Sequence, residues 1–241
     1  MTDRFRKVEN LKGVPAVSAV ATVPAPAGRV SPSESPSLLS RLGLFGLDDL
    51  APVIVAALAT DEPLLLIGPH GTGKTLLLTR VAQALGLVFR HYNASLVNFD
   101  DLVGFPVPAA NGSLGYAQTP ATIWGAEAVI FDEISRCRPD IQNKLFPIVH
   151  ERRVQGLLLE GLRYRWAAMN PPAKEDDQTG YTGSEPLDTA LADRFAFVVE
   201  MPSWKSMSAM DQTKVITANP VTWERTATTD LTSILATVGS S

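Results

Sequence analysis

The stretch GPHGTGKT, residues 68–75, sets Gly68, Gly73, Lys74 and Thr75 at G-x-x-x-x-G-K-[ST] spacing, with a further glycine at Gly71. Those residue types at that spacing suit the holding of phosphate. Glycines let a loop curl with its amides pointing inward, and a helix beginning behind the loop adds positive potential. Lys74 is placed to reach the outer phosphates, and Thr75 to ligate Mg²⁺. The expected nucleotide-contacting stretch is Gly68, Pro69, His70, Gly71, Thr72, Gly73, Lys74, Thr75 and Leu76. Further on, the apolar run AVIF ends in Asp132 and Glu133. Asp132 at a strand end can orient the metal or its waters, and Glu133 can polarise an attacking water. Two acids at a strand end are ordinarily a solvated terminus. Downstream of a phosphate loop they read as the acidic half of a hydrolytic site.

Two further residues complete the pattern. Asn170 closes the run YRWAAMN, where an asparagine can hold the attacking water and sense the outer phosphate. Alone, before Pro171 and Pro172, it would read as a turn former. Arg194, in PLDTALADRFAF, follows a short predicted helix, from which it can reach a neighbouring subunit's nucleotide. Its plainer alternative is a surface salt bridge with Asp193. Guanine recognition usually shows N-K-x-D; the nearest stretch, NKLF at 143–146, has Phe146 in place of the aspartate and lies in an amphipathic helical pattern. Phe146 therefore reads as core packing, and adenine is the expected base.

The elements that must position these residues follow from the apolar runs. PLLLIG (63–68), LVFRHYNA (87–94), AEAVIFDE (126–133), YRWAAMN (164–170) and AFVVEMP (196–202) read as strands. KTLLLTRVAQAL (74–85) and PDIQNKLFPIVHE (139–151) read as helices, and LDDLAPVIVAALAT as a buried helix starting near Asp48 and Asp49. Strands apolar throughout, alternating with helices, predict an α/β fold: a parallel five-stranded sheet with helices on both faces. Two hairpins are expected to turn at Asn111-Gly112 and at Glu160-Gly161. Residues 13–36, rich in Pro, Ala, Ser and Val, read as a flexible arm.

Composition narrows the partners. With 21 basic against 25 acidic residues the formal charge is −4, and no basic block exceeds RFRK at 4–7, which reads as a solvated chain end. A main role in gripping nucleic acid is disfavoured. Cys137 is the single cysteine, which excludes an internal disulfide and fits a reducing compartment. No run approaches a membrane span and the N-terminus lacks an apolar signal core, so a soluble, cytoplasmic protein is expected. His70, His91 and His150 show no ligand-type spacing. Trp124, Trp166, Trp204 and Trp223 read as core or interface residues.

On GPHGTGKT, DDLVG (100–104), VIFDEISRCRPDIQNKLFPIVHERRV (129–154), AAMNPP (167–172) and EPLDTALADRF (185–195), the chain resembles the AAA+ ATPases, in particular the MoxR and dynein-related branch with a helix-2 insert. The resemblance covers about residues 45–202. It implies a P-loop NTPase fold, with Lys74 and Thr75 as Walker A residues, Asp132 and Glu133 as Walker B, Asn170 as sensor 1 and Arg194 as the arginine finger. It places an interface arginine near Arg136, where a first-turn surface arginine fits as well. The implied divisions are an arm at 1–40, the core at 41–202 with the insert at 105–124, and a lid at 203–241. The family's lid is helical and carries a further arginine, sensor 2. Here residues 203–241 leave room for two short helices, and their one arginine, Arg225, lacks the usual motif. The lid is therefore expected to be short and incomplete, whether truncated, divergent or completed by a partner.

The same resemblance implies an Mg²⁺-dependent ATPase, assembled as a hexameric ring, that remodels a partner protein in a chaperone-like role. It also implies a companion carrying a von Willebrand A domain. The alternatives are an ATP-dependent scaffold with little turnover and, less favoured by the charge, a nucleic-acid motor.

Overall fold

The computed structural model describes residues 38–108, 112, 114–171 and 187–218. The chain runs through α1 (Leu38–Arg41), a 3-10 turn at Asp48–Leu50, α2 (Ala51–Thr60), β1 (Leu64–Ile67), α3 (Lys74–Ala84) and β2 (Phe89–Asn93). It continues through α4 (Phe99–Val103), the hairpin β3 (Phe105–Pro108) and β4 (Leu114–Ala117), β5 (Ala128–Asp132) and α5 (Pro139–Glu151). A second hairpin, β6 (Arg153–Val154) and β7 (Leu157–Leu158), precedes β8 (Tyr164–Met169), α6 (Thr189–Ala192), β9 (Phe197–Glu200), a 3-10 turn at Trp204–Ser206 and α7 (Ala209–Thr217).

Five strands form one sheet in the order β2-β5-β8-β1-β9, each neighbouring pair parallel. The apolar runs lack alternation because both faces are covered. Leu64, Leu66, Ala128, Ile130, Trp166 and Ala168 pack with α1, α2 and α3. Leu65, Val129, Phe131, Ala167 and Met169 face the opposite way, against α4, α5 and α6. Period-2 geometry thus sends adjacent apolar residues into two separate cores.

Buried Arg80 on α3 donates to the carbonyls of Leu42 and Gly43 at 2.6 and 2.7 Å, closing the end of α1. Leu39 is fully buried. Leu38, Leu39 and Ser40, expected to belong to the arm at 1–40, are instead part of a helix of the core, because Leu39 and Leu42 are buried with Leu77, Leu78 and Val81 of α3. Residues 1–37 lie outside the described residues. So do Asn111, Pro172, Trp223 and Arg225.

The second hairpin also departs from expectation. Its turn is Gln155-Gly156, both left-handed at φ 48° and 84°, which matches the twist of a tight two-residue loop. Glu160-Gly161 instead turns the chain into β8, with the Leu162 amide donating to the Leu159 carbonyl at 3.0 Å. The first hairpin pairs Phe105 with Ala117 and Pro108 with Leu114, and between the strands Gly112 takes φ 80°.

Of the lid expected at 203–241, the described part holds the 3-10 turn and α7; 219–241 lie outside the described residues. Cys137 is buried, and burial pushes its thiol up to about 11, so it is neutral at physiological pH. Among the described residues no helix is long and apolar enough to cross a membrane.

Candidate functional site

The site is assembled at the carboxyl ends of β1, β5 and β8, three adjacent strands of the sheet. The loop after β1 turns directly into α3 at Gly73. Gly71 and Gly73 take φ +75° and +81°, a region glycine enters without steric cost, and a Cβ on either would meet nothing within 4 Å. Two left-handed glycines with open space beside them thus lead into α3, whose first amides lack partners within the helix, which fits a phosphate group. Gly68 differs: a Cβ there would stand 2.7 Å from Met201 Cβ and 3.1 Å from Thr72 Oγ1. Its bareness is needed for packing against the end of β9.

Lys74 is buried, and its Nζ donates to the carbonyls of Gly68 and Pro69 at 2.7 and 2.9 Å and to Asn170 Oδ1 at 3.2 Å. Burial lowers its pKa, while Asp132 and Glu133 work in the opposite direction. Thr75 Oγ1 donates to Asp132 Oδ2 at 2.6 Å. A hydroxyl and a carboxylate brought together by α3 and β5 form an oxygen donor pair of the kind Mg²⁺ takes.

Asp132 is held by three donors: Thr75, the Glu133 amide at 2.9 Å and His91 Nε2 at 3.5 Å. Burial pushes its carboxyl up, but the contacts from His91, Thr75 and the Glu133 amide outweigh that, and the pKa lies below the ordinary value. Glu133 follows in a left-handed conformation at φ 55° and turns the chain off the sheet. Its carboxylate accepts from Asn170 Nδ2, at 3.3 Å to either oxygen, and lies 3.9 Å from Arg136. Asn170 is itself buried and joins Lys74 to Glu133 through the two ends of one amide.

Lys74, Thr75, Asp132, Glu133 and Asn170 therefore meet, although they come from three separate stretches of chain. His70 is exposed, with Nε2 3.5 Å from Asn170 Nδ2. Leu76 is 46% exposed on the first turn of α3. Arg194 stands apart, two residues beyond α6, with its guanidinium carbon 4.6 Å over the Phe146 ring. Among the described residues it forms no ion pair with Asp193.

His91 is the contributor that spacing missed. It lies on β2, where the parallel register sets it beside Ile130 and Asn93 beside Asp132. The signal was the pairing of residues 89–93 with 128–132, and register is not visible in either segment alone.

A parallel sheet with a glycine loop between an inner strand, β1, and a helix, and an acid pair ending β5 two strands away, defines a P-loop α/β nucleotide-binding fold. The chain belongs to the dynein-related subfamily of AAA domains, whose family profile matches residues 63–195, a family of ATP-dependent proteins. It is 28% identical over 164 residues to the protein YeaC of Bacillus subtilis (strain 168), covering 66% of this chain and 48% of YeaC. The chain thus spans about half the length of that relative. To midasin of Giardia intestinalis it is 44% identical over 61 residues, 25% of this chain and 1% of midasin. The fold is shared with a candidate ATPase from Cytophaga hutchinsonii, at a TM-score of 0.59 and 19% identity, covering 83% of this chain and 61% of that one.

Proposed function

We propose that the chain is an Mg²⁺-dependent ATPase of the MoxR kind that works as a hexameric ring and uses hydrolysis to remodel a partner protein. The observation that carries this reading is the meeting of Lys74, Thr75, Asp132, Glu133 and Asn170 at one end of the sheet. Thr75 and Asp132 would hold Mg²⁺, which when bound neutralises phosphate charge and orients water. Lys74 binds the outer phosphates as a point charge. Glu133 takes the proton of the attacking water, and Asn170 keeps that carboxylate aimed at the site. The loop from Gly68 to Leu76 wraps the phosphates, with Pro69, His70 and Thr72 between its glycines.

Arg194 lies away from this cluster and without a carboxylate partner among the described residues, which supports its service to a neighbouring subunit's nucleotide. Arg136, beside Glu133, is a second candidate for that boundary. The β3–β4 hairpin of the 105–124 insert, with Phe105 65% exposed, is the surface we assign to the client. A companion with a von Willebrand A domain belongs to the same reading. The net charge of −4 favours a protein client over nucleic acid, and a cytoplasmic setting fits the single reduced cysteine.

ATP turnover per subunit, measured across a wide protein concentration range beside Lys74→Ala and Arg194→Ala, tests the proposal. Specific activity is expected to climb with concentration and to vanish in both variants. Nucleotide binding with flat or absent turnover would replace it with an assembly scaffold. Stimulation by nucleic acid at low salt would point instead to a motor.

A further inference from the structure

Phe146 is half-buried rather than enclosed, one edge of α5 carrying it at the margin of the core beneath the sheet. Its ring face is taken by Arg194, and its ring lies 6.3 Å from that of His150 at an interplanar angle of 65°. The pairing is built by helix packing. Leu145 of α5 and Leu191 of α6 are buried in one cluster, and the Asp188 amide that opens α6 donates to Gln142 Oε1 at 3.3 Å. These contacts set the end of α6 over Phe146.

Among the described residues the buried Nε of Arg194 has no hydrogen-bond partner, and no carboxylate pairs with the side chain. A carboxylate would fix a guanidinium and cancel its charge. An aromatic face fixes it through the ring quadrupole and leaves the charge intact. A cation that acts on phosphate across a subunit boundary is better served by the second kind of support.

We propose that Phe146 is the positioning residue for Arg194, its ring holding the guanidinium in place and uncancelled for a neighbouring subunit's nucleotide. The inference rests on the reading of Arg194 as a residue acting in trans. Phe146 touches no nucleotide in this scheme and acts through Arg194 alone.

Mixed assemblies separate the two claims. Lys74→Ala subunits lack a working site and donate Arg194; Arg194→Ala subunits have the site and lack the arginine. Each is expected to be inactive alone, and a mixture to recover ATP turnover. A mixture that stays inactive overturns the trans reading, and this inference with it. Where it recovers, Phe146→Leu or Phe146→Met is added to the Lys74→Ala donor, keeping apolar bulk without a ring. The recovered turnover is expected to fall about tenfold, while Phe146→Tyr or Phe146→Trp in the same donor retains it. Donors carrying Leu or Met that support turnover as well as the parent overturn the proposal. So does an equal loss with Tyr and Trp, which would show that packing shape and not the ring face matters. Two ring-free and two ring-bearing variants, each checked for an unchanged melting temperature, keep the comparison decisive if one misfolds.

Discussion

Thr75 Oγ1 lies 2.6 Å from Asp132 Oδ2, joining the first turn of α3 to the end of β5 across 57 positions of sequence. The bond fixes the two oxygens relative to one another. It also helps to hold the Asp132 carboxyl below its ordinary pKa, against the opposing effect of burial. A depressed folded value means that Asp132 contributes stability above the unfolded carboxylate range, near pH 4, and loses it as pH falls through the folded value. Asp132→Asn should therefore narrow the gap between denaturation midpoints at pH 7 and pH 3. Thr75→Ala and Asp132→Asn should each lower ATP turnover by about a hundredfold or more. Turnover that kept its wild-type Mg²⁺ dependence in both variants would remove the metal assignment.

Glu133 sits between Asn170 and Arg136, so an amide in its place keeps a hydrogen-bonding partner. Glu133→Gln should bind ATP with near wild-type affinity and hydrolyse it at least about a hundredfold more slowly. Binding of a fluorescent ATP analogue and release of phosphate, measured on one preparation, separate the two steps. Wild-type release would sink the assignment of Glu133.

The loop glycines should fail for different reasons. Gly68→Ala drives a methyl into Met201 Cβ and should cost about 1–3 kcal/mol of stability. Met201→Ala removes that neighbour beyond Cβ and should recover part of the loss, because Met201 Cγ also lies 3.3 Å from the new methyl. Gly73→Ala meets no atom but forces a side chain to φ +81°, so Met201→Ala should not help it. Thermal melting of the three single and two double variants reads the difference.

Arg165, on the central strand β8, is almost wholly buried and holds together three pieces of backbone. It donates to the Val149 carbonyl at 3.0 Å, the Asp61 carbonyl at 2.7 Å and the carbonyl of Arg163. Burial lowers its pKa to about 10, so it remains charged at neutral pH. Arg165→Met should destabilise the fold by about 2–4 kcal/mol through the carbonyls left unpaired. Denaturant unfolding within 0.5 kcal/mol of wild type, on the scale of roughly ±0.5 kcal/mol for neutral surface changes, would contradict that role.

The residues of the phosphate loop and the acid pair were legible because each motif is local. GPHGTGKT carries its own glycines, and the strand before it and helix behind it follow from adjacent apolar runs. Asn170 was legible for the same reason, at the end of a run buried along its whole length. The parallel five-stranded sheet followed from strands that are apolar on both faces, a property of each segment by itself.

Only the tertiary structure decided which segments meet. The order β2-β5-β8-β1-β9 puts Asn170 between Lys74 and Glu133 and brings His91 to Asp132. Phe146 has the spacing of a core residue, and helix packing alone sets its ring under Arg194. The second hairpin turns at Gln155-Gly156, where positive φ at both residues matches strand twist and Gln155, though not a glycine, adopts it. Apolar period reports the burial of one segment's face; register, crossover and ring-to-cation placement depend on the shape of the partner segment. That information exists only once both are folded.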